Sequence, residues 1–292
     1  MVRGFSLEAH AKLNLRLEVG LLAGSLHQVV SVVAELELAD ELHFTSSNAG
    51  FQVVCEHTDL AEHDNLAWRA AQALQRELPP VRILIEKNIP MQAGLGGGSA
   101  DAAGALLGLA LILSQEGVPL SHQQLADAAL RTGSDVPSFL ASGLRIVSGV
   151  GERVERRAAQ APPWGIVLLR PPVGSATGRA YGMLDDARIP HDLKDSAFAS
   201  AEEMCTAYAA SDFERFIGLL HNDFSAVIER ELPAVGQARE RLHQAGARAT
   251  ILCGSGSCIA GFFQARMAAH EAVERLSLGE GEWIYATGFS SD

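Results

Sequence analysis

The 292-residue chain is short of the features that announce a metalloprotein, a nucleic-acid binder or a membrane protein. It has no Cys-x-x-Cys pair, and the spacing of Cys55, Cys205, Cys253 and Cys258 fits neither a zinc site nor a disulfide framework. Buried thiols are the expectation. The histidines are scattered singly, with no His-x-x-x-His pair, which argues against a transition-metal site. Acidic residues outnumber basic ones, 35 to 23, for a net charge of −12 without a basic cluster, so nucleic acid is a poor partner. No uninterrupted apolar run reaches the roughly 18 residues of a membrane span. The segment Met1 to Ser6 carries neither an apolar stretch nor a cleavage pattern, so a cytoplasmic location is expected.

What is present is concentrated in one segment, Pro90-Met91-Gln92-Ala93-Gly94-Leu95-Gly96-Gly97-Gly98-Ser99-Ala100-Asp101-Ala102-Ala103. Upstream, Val81 to Glu86 alternates apolar and polar residues and predicts a strand. Downstream, Ala102 to Leu113 is nearly continuous Ala and Leu and predicts a buried helix. The glycines between them predict a loop, because glycine weakens helix and strand interiors alike. A strand, a glycine loop and a helix in that order bring bare backbone N–H groups and a helix N-terminus to one place, which suits an anion. Neither familiar phosphate signature fits. Gly98 is not followed by Lys-Ser or Lys-Thr as a Walker loop requires, and G-x-G-x-x-G from Gly94 meets Ser99 at its last glycine.

Around this segment the pattern predicts strands at His10 to Val19, Val29 to Leu38 and Glu41 to Thr45, then a helix from Asp64 to Leu78 capped by Asp64. Ser121 and Gln124 form a capping box for a helix to Thr132. Pro137, after Gly133-Ser134-Asp135, suits the first turn of another. A composition break at Arg156 to Trp164 divides the chain into expected domains 1–157 and 158–292. The second half reads as a strand at Gly165 to Leu169, helices at Ala201 to Ala209, Phe213 to Leu220 and Leu232 to Ala245, and strands at Ala249 to Leu252 and Ile259 to Phe263. A second glycine turn, Cys253 to Cys258, lies between those two strands, and a helix at Arg266 to Leu276 and a strand near Trp283 to Thr287 follow. The class is α+β.

Three features carry chemistry. In Ala11-Lys12-Leu13-Asn14-Leu15, strand alternation puts Lys12 and Asn14 on one face. Taken alone, such a lysine is more often a snorkelling surface residue. The glycine loop is the second feature. The third is Asp135, in a turn before a helix, where a cap is the commoner role.

Together, Ala-Lys-Leu-Asn-Leu, Pro-x-x-Ala-Gly-Leu-Gly-Gly-Gly-Ser-x-Asp-Ala-Ala, Gly-Ser-Asp-Val-Pro and Gly-Ser-Gly-Ser resemble the GHMP kinase superfamily. Further matches are Asp64-Asn65-Leu66, Ser175-Ala176-Thr177 with Tyr181, and Asn222-Asp223-Phe224, in order over nearly the whole chain. The resemblance implies a two-domain fold, ribosomal-protein-S5-domain-2-like then ferredoxin-like, with its active site in the interdomain cleft. It implies ATP and Mg²⁺ as cofactors, with Gly94, Gly96, Gly97, Gly98 and Ser99 cradling the triphosphate, Asn65 on the adenine side and Lys87 near the nucleotide. Ser99 is the one candidate metal ligand. Asp135 would take the proton of the attacking hydroxyl, and Lys12 would hold Asp135 ionised and stabilise negative charge in the transition state. Asp101 is either a helix cap or a ligand contact.

The triple glycine with Ser-x-Asp-Ala-Ala resembles the branch that phosphorylates the 2-hydroxyl of a cytidylylated methylerythritol, in the non-mevalonate route to isoprenoids. On that branch Asn14, His27, Leu26, Thr177 and Tyr181 would contact the small-molecule substrate, with no nucleic acid or membrane partner and a monomeric or homodimeric state. The branch usually carries Asp-Gly-Tyr-His where this chain has Gly24-Ser25-Leu26-His27, so Leu26 replaces a tyrosine that stacks on cytosine. Ala110 likewise stands where asparagine is frequent. A homoserine- or phosphomevalonate-type kinase and a non-catalytic ligand-binding relative are the alternatives.

Overall fold

The computed structural model describes residues 4–55, 62–187, 191–193 and 195–291. Contacts divide the chain into two compact units: 1–11, 38–89 and 96–141 in the first, and 12–37, 90–95 and 142–292 in the second. The two opening strands, β1 (Phe5–Ala23) and β2 (Leu26–Ser46), each contribute residues to both units. Gly24, at a φ of 71°, forms the tight turn between them. β2 is continuous where two strands are expected. Asp40, which breaks the apolar pattern, is fully buried within it.

In the first unit, β3 (Gln52–Cys55) pairs parallel to β4 (Val81–Glu86), which pairs antiparallel to β2 with Glu41 opposite Glu86. α1 (Leu66–Gln72) is capped by Asn65, whose side chain accepts from the Ala67 N–H at 2.8 Å. The cap is therefore Asn65 and not Asp64, and the helix ends well before Leu78. α2 (Gly97–Gln115) begins inside the glycine run, five residues earlier than its Ala/Leu pattern suggests. By length and composition α2 could cross a membrane, which the short-run criterion does not reveal, yet 61% of its apolar window is buried within the protein. Its first-turn glycines accept helical geometry because Gly96, at a φ of 76°, turns the chain just ahead of them. Ala100, Ala105 and Ile112 pack with Leu42, Phe44, Ile83 and Ile85 into one apolar cluster. α3 (His122–Thr132) has the expected Ser121–Gln124 capping box. A 3-10 turn, Val136–Leu140, follows Asp135 with Pro137 in its first turn.

In the second unit, β5 (Leu144–Gly149) joins β2 and the strand β6 (Arg153–Arg157). Then come β7 (Gly165–Arg170), α4 (Thr177–Asp186), α5 (Asp195–Ala209), α6 (Phe213–Gly218), β8 (His221–Asn222), α7 (Phe224–Glu231), α8 (Pro233–Gln244), β9 (Ala249–Leu252), β10 (Ile259–Phe263), α9 (Arg266–Arg275) and β11 (Trp283–Thr287). Among the described residues β11, β7, β10 and β9 form an antiparallel sheet in that order. With its strands numbered in chain order this is 4-1-3-2, the split β-α-β arrangement of ferredoxin-like folds. Val167, Leu169, Leu252, Ile259 and Phe263 bury their side chains with Val235, Leu242, Ala269 and Ala272 of the covering helices. β3, β5, β6, β8, α4 and α7 are additions to the elements read from sequence. Cys205, Cys253 and Cys258 are buried free thiols as expected, and Cys55 is half-buried.

Candidate active site

In the first unit, Gly96 occupies the N-cap of α2 and makes no side-chain cap, so no side chain of the cap shields the first N–H groups of the helix. Close packing beneath this turn accounts for Gly97 and Gly98. A Cβ on Gly97 would meet Ile89 at 3.0 Å and the Lys87 Nζ at 3.3 Å, and one on Gly98 would meet Leu66 at 3.3 Å. The loop thus rests on Lys87 and on the residue that follows Asn65.

Lys87 is bound within a buried charge cluster. Its Nζ donates to Asp40 and, at 2.7 Å, to Asp101 in the second turn of α2. The other Asp40 oxygen accepts from the backbone N–H groups of Asn88 (2.6 Å) and Ile89 (2.8 Å). Burial acts to lower the Lys87 ammonium, but the two carboxylates overcome it and its pKa lies above the usual value. Burial also pushes the Asp101 carboxyl up, to about 7, against the pull of Lys87. Asp101 Oδ1 is buried without a hydrogen-bond partner, so Asp101 does not cap α2. Asp40 carries no sequence signal beyond its charge within an apolar strand. Asp135 is exposed, and its side chain makes no capping hydrogen bond to the 3-10 turn it precedes.

In the second unit, Lys12 is buried on β1 at 7% exposure and donates to Asn14 Oδ1. Asn14 Nδ2 donates to Ser31 Oγ at 2.8 Å, and the Ser31 hydroxyl donates to the Arg16 carbonyl at 2.7 Å. Each polar atom in this chain has a defined role, which fixes the orientation of the Asn14 amide and of Lys12. Ser31, on the neighbouring strand, completes it and is invisible to a motif reading.

The two glycine turns meet backbone to backbone. Gly94, at a φ of 76°, lies so close to Cys253 that a Cβ would stand 1.8 Å from its carbonyl oxygen. The N–H groups of Ser257 and Cys258 donate to the carbonyls of Gln92 (3.4 Å) and Ala93 (3.2 Å). Gly254 lies beside Lys12, whose Nζ would be 2.9 Å from a Cβ there. The second turn therefore buttresses the first.

Thr177, first residue of α4, places its hydroxyl 3.3 Å from Ser255 Oγ. His27 stacks on Tyr181 (5.2 Å between ring centres, 14° between planes), and Tyr181 meets Phe224 edge-on. His27 Nδ1 lies 2.8 Å from the Gly20 carbonyl oxygen and Nε2 3.3 Å from Asp185. Leu26 is 47% exposed beside His27.

Two family models match the chain, one described as GHMP kinases N terminal domain over residues 65–143 and one as GHMP kinases C terminal over 201–279. A 4-diphosphocytidyl-2-C-methyl-D-erythritol kinase of Symbiobacterium thermophilum is 35% identical over 290 residues, 96% of this chain and 99% of the relative. One of Geotalea daltonii is 31% identical over 291 residues, 96% of each. A crystal structure of 4-(cytidine 5'-diphospho)-2C-methyl-D-erythritol kinase superposes with a TM-score of 0.75 at 29% identity, covering 97% of this chain and 99% of that one. The fold is also that of a homoserine kinase from Cytophaga hutchinsonii, at a TM-score of 0.71 and 15% identity over 98% of this chain and 95% of the other. With matches to both halves and relatives aligned along their full length, the chain belongs to the GHMP kinase family.

Proposed function

We propose that this protein transfers the γ-phosphoryl group of ATP to the 2-hydroxyl of 4-diphosphocytidyl-2-C-methyl-D-erythritol, giving the phosphate monoester and ADP. The observation that carries the reading is the start of α2, a glycine-capped turn without a side-chain cap, in a chain whose relatives carry this activity in their names along their whole length.

The N–H groups of Gly97, Gly98 and Ser99 bind phosphate oxygens, with the helix dipole behind them. Lys87 and Leu66, the latter set by the Asn65 cap of α1, pack beneath this turn, and Asn65 and Lys87 would face the nucleotide. Asp135, uncommitted to capping, accepts the proton of the substrate hydroxyl as it attacks phosphorus. Lys12, oriented by Asn14, stabilises the negative charge that develops on the transferring group. Ser99 Oγ is a hard neutral oxygen of the kind Mg²⁺ accepts beside phosphates and water, and the bound ion would neutralise phosphate charge.

The test is a product assay with purified protein, ATP, Mg²⁺ and the cytidylylated substrate, followed by phosphorus NMR. A new monoester signal with equimolar ADP is expected; absence of both, with turnover of homoserine or a mevalonate phosphate, overturns the reading. That second outcome has two observations in its favour. Leu26 stands where the branch has tyrosine, and both ring nitrogens of His27 face protein oxygens. If Leu26 borders cytosine, Leu26→Tyr adds a stacking face worth about 1–3 kcal/mol. The KM for the cytidylylated substrate then falls about fivefold or more, and the KM for ATP stays unchanged.

A further inference from the structure

The Asn222-Asp223-Phe224 motif has no part in the reaction as described, yet its first residue sits at the junction of the elements that carry it. Asn222 is buried in β8, which pairs parallel with β1 so that Asn222 stands opposite Leu17. Its Nδ2 donates to two carbonyls of the second glycine turn and its approach, Leu252 and Gly254, each at 2.8 Å. Its Oδ1 accepts from the N–H of Phe224 at 2.9 Å. The flanking residue extends the hold on β1 along the same edge. Asp223 Oδ2 accepts from the Val19 N–H at 2.7 Å, and the Asp223 N–H donates to the Leu17 carbonyl at 3.1 Å.

The clearance around the turn makes this pinning consequential. A methyl-sized addition at Gly254 would stand 2.9 Å from both the Lys12 Nζ and the Gly94 carbonyl oxygen, and 3.5 Å from Asn14 Oδ1. The turn thus lies beside the lysine, near the residue that orients it, and against the first glycine loop, with no room for a side chain at position 254. A displaced turn therefore changes what the Lys12 side chain rests against. Only a side chain with two donors and one acceptor satisfies all three backbone groups at this point, which asparagine does and aspartate does not.

We infer that Asn222 is a positioning residue for phosphoryl transfer: by holding the carbonyls of Leu252 and Gly254 it fixes the second glycine turn against Lys12 and so places the Lys12 ammonium. The inference rests on the role given to Lys12 above. It acts through Lys12 rather than by touching the substrate, and displacement of a reacting group by about 1 Å lowers turnover about 10²-fold.

A double-mutant cycle in kcat tests it, with wild type, Lys12→Met, Asn222→Ala and the double variant. Asn222→Ala is expected to lower kcat about 10²-fold in the wild-type background, and to change it by less than about threefold once Lys12 is gone. An equal loss in both backgrounds overturns the inference, because a general structural defect does not depend on Lys12. Unchanged kcat in Lys12→Met alone overturns the catalytic reading instead, so the two failures are distinguishable. Asn222→Asp separates hydrogen bonding from packing, since it keeps the volume and loses both donors; wild-type turnover in this variant also refutes the inference. Should Asn222→Ala fail to fold, Asn222→Ser, which keeps one donor, carries the cycle with an intermediate loss. Competitive acetylation of the Lys12 amine, read by mass spectrometry, reports the same placement without turnover. Labelling rises in Asn222→Ala if the ammonium is released, and unaltered labelling counts against the proposal.

Discussion

Asp135 and Lys87 are both charged candidates for the site, and the structure gives them opposite circumstances. Asp135 is exposed and makes no cap, which is compatible with the base role proposed above. Asp135→Asn is expected to lower kcat by about 10²–10⁴-fold while ATP binding, followed by calorimetry, persists; a residual rate above roughly a tenth of wild type would remove Asp135 as the base. Lys87 is instead consumed by Asp40 and Asp101. Lys87→Met leaves two buried carboxylates without their cation, a change that costs about 3–5 kcal/mol in comparable pairs. Urea unfolding of this variant should show a loss of that order, whereas a lysine serving only the nucleotide would alter the KM for ATP and leave stability intact.

Among the elements, those with purely local causes were legible in the sequence. The Ser121–Gln124 capping box starts α3 because both partners lie within one turn, and β4 alternates because one face is buried. Elements set by distant partners were not. Asp40 reads as a strand break, but β2 continues because Lys87 and the N–H groups of Asn88 and Ile89 satisfy its carboxylate. α2 starts in glycines because Gly96 turns the chain and Ile89, Lys87 and Leu66 leave no room for larger side chains. For the candidate site, the motif residues Lys12, Asn14, the glycine loop and Asn222 were legible, but Ser31, Asp40 and the bonds of Asn222 to Leu252 and Gly254 were not, since each joins separate elements. Gly108 shows the same logic inside a helix. A Cβ there would lie 2.1 Å from the Phe44 ring. Gly108→Ala gains about 1 kcal/mol of helix propensity against about 1–3 kcal/mol of overpacking. A net fall in Tm is expected, with Phe44→Leu in the same chain recovering part of it; a rise in Tm in the single variant would show that Phe44 yields freely.

At the scale of the whole molecule, a chain of net charge −12 is proposed to bind two anionic ligands, a nucleoside triphosphate and a cytidine diphosphate ester. The long-range field opposes their approach, while the backbone N–H groups and Lys12 act only at short range. Raising ionic strength from about 0.01 to about 0.1 M shortens the screening length from about 30 to about 10 Å. If approach limits turnover at low substrate, kcat/KM should rise over that interval at fixed free Mg²⁺. A steep fall would point to a basic entry surface that the overall charge conceals.

The contact between Gly94 and Cys253 also bears on how the protein is made. Synthesis delivers the first glycine turn long before the turn that supports it. A nascent chain that has emerged only as far as the first family-model segment can form α2, because that helix packs on β2 and β4. The carbonyls of Gln92 and Ala93 lack their N–H partners until Ser257 and Cys258 arrive. The support beneath Gln92, Ala93 and Gly94 is therefore completed only late in synthesis, after α2 and its glycine-capped start have already been delivered.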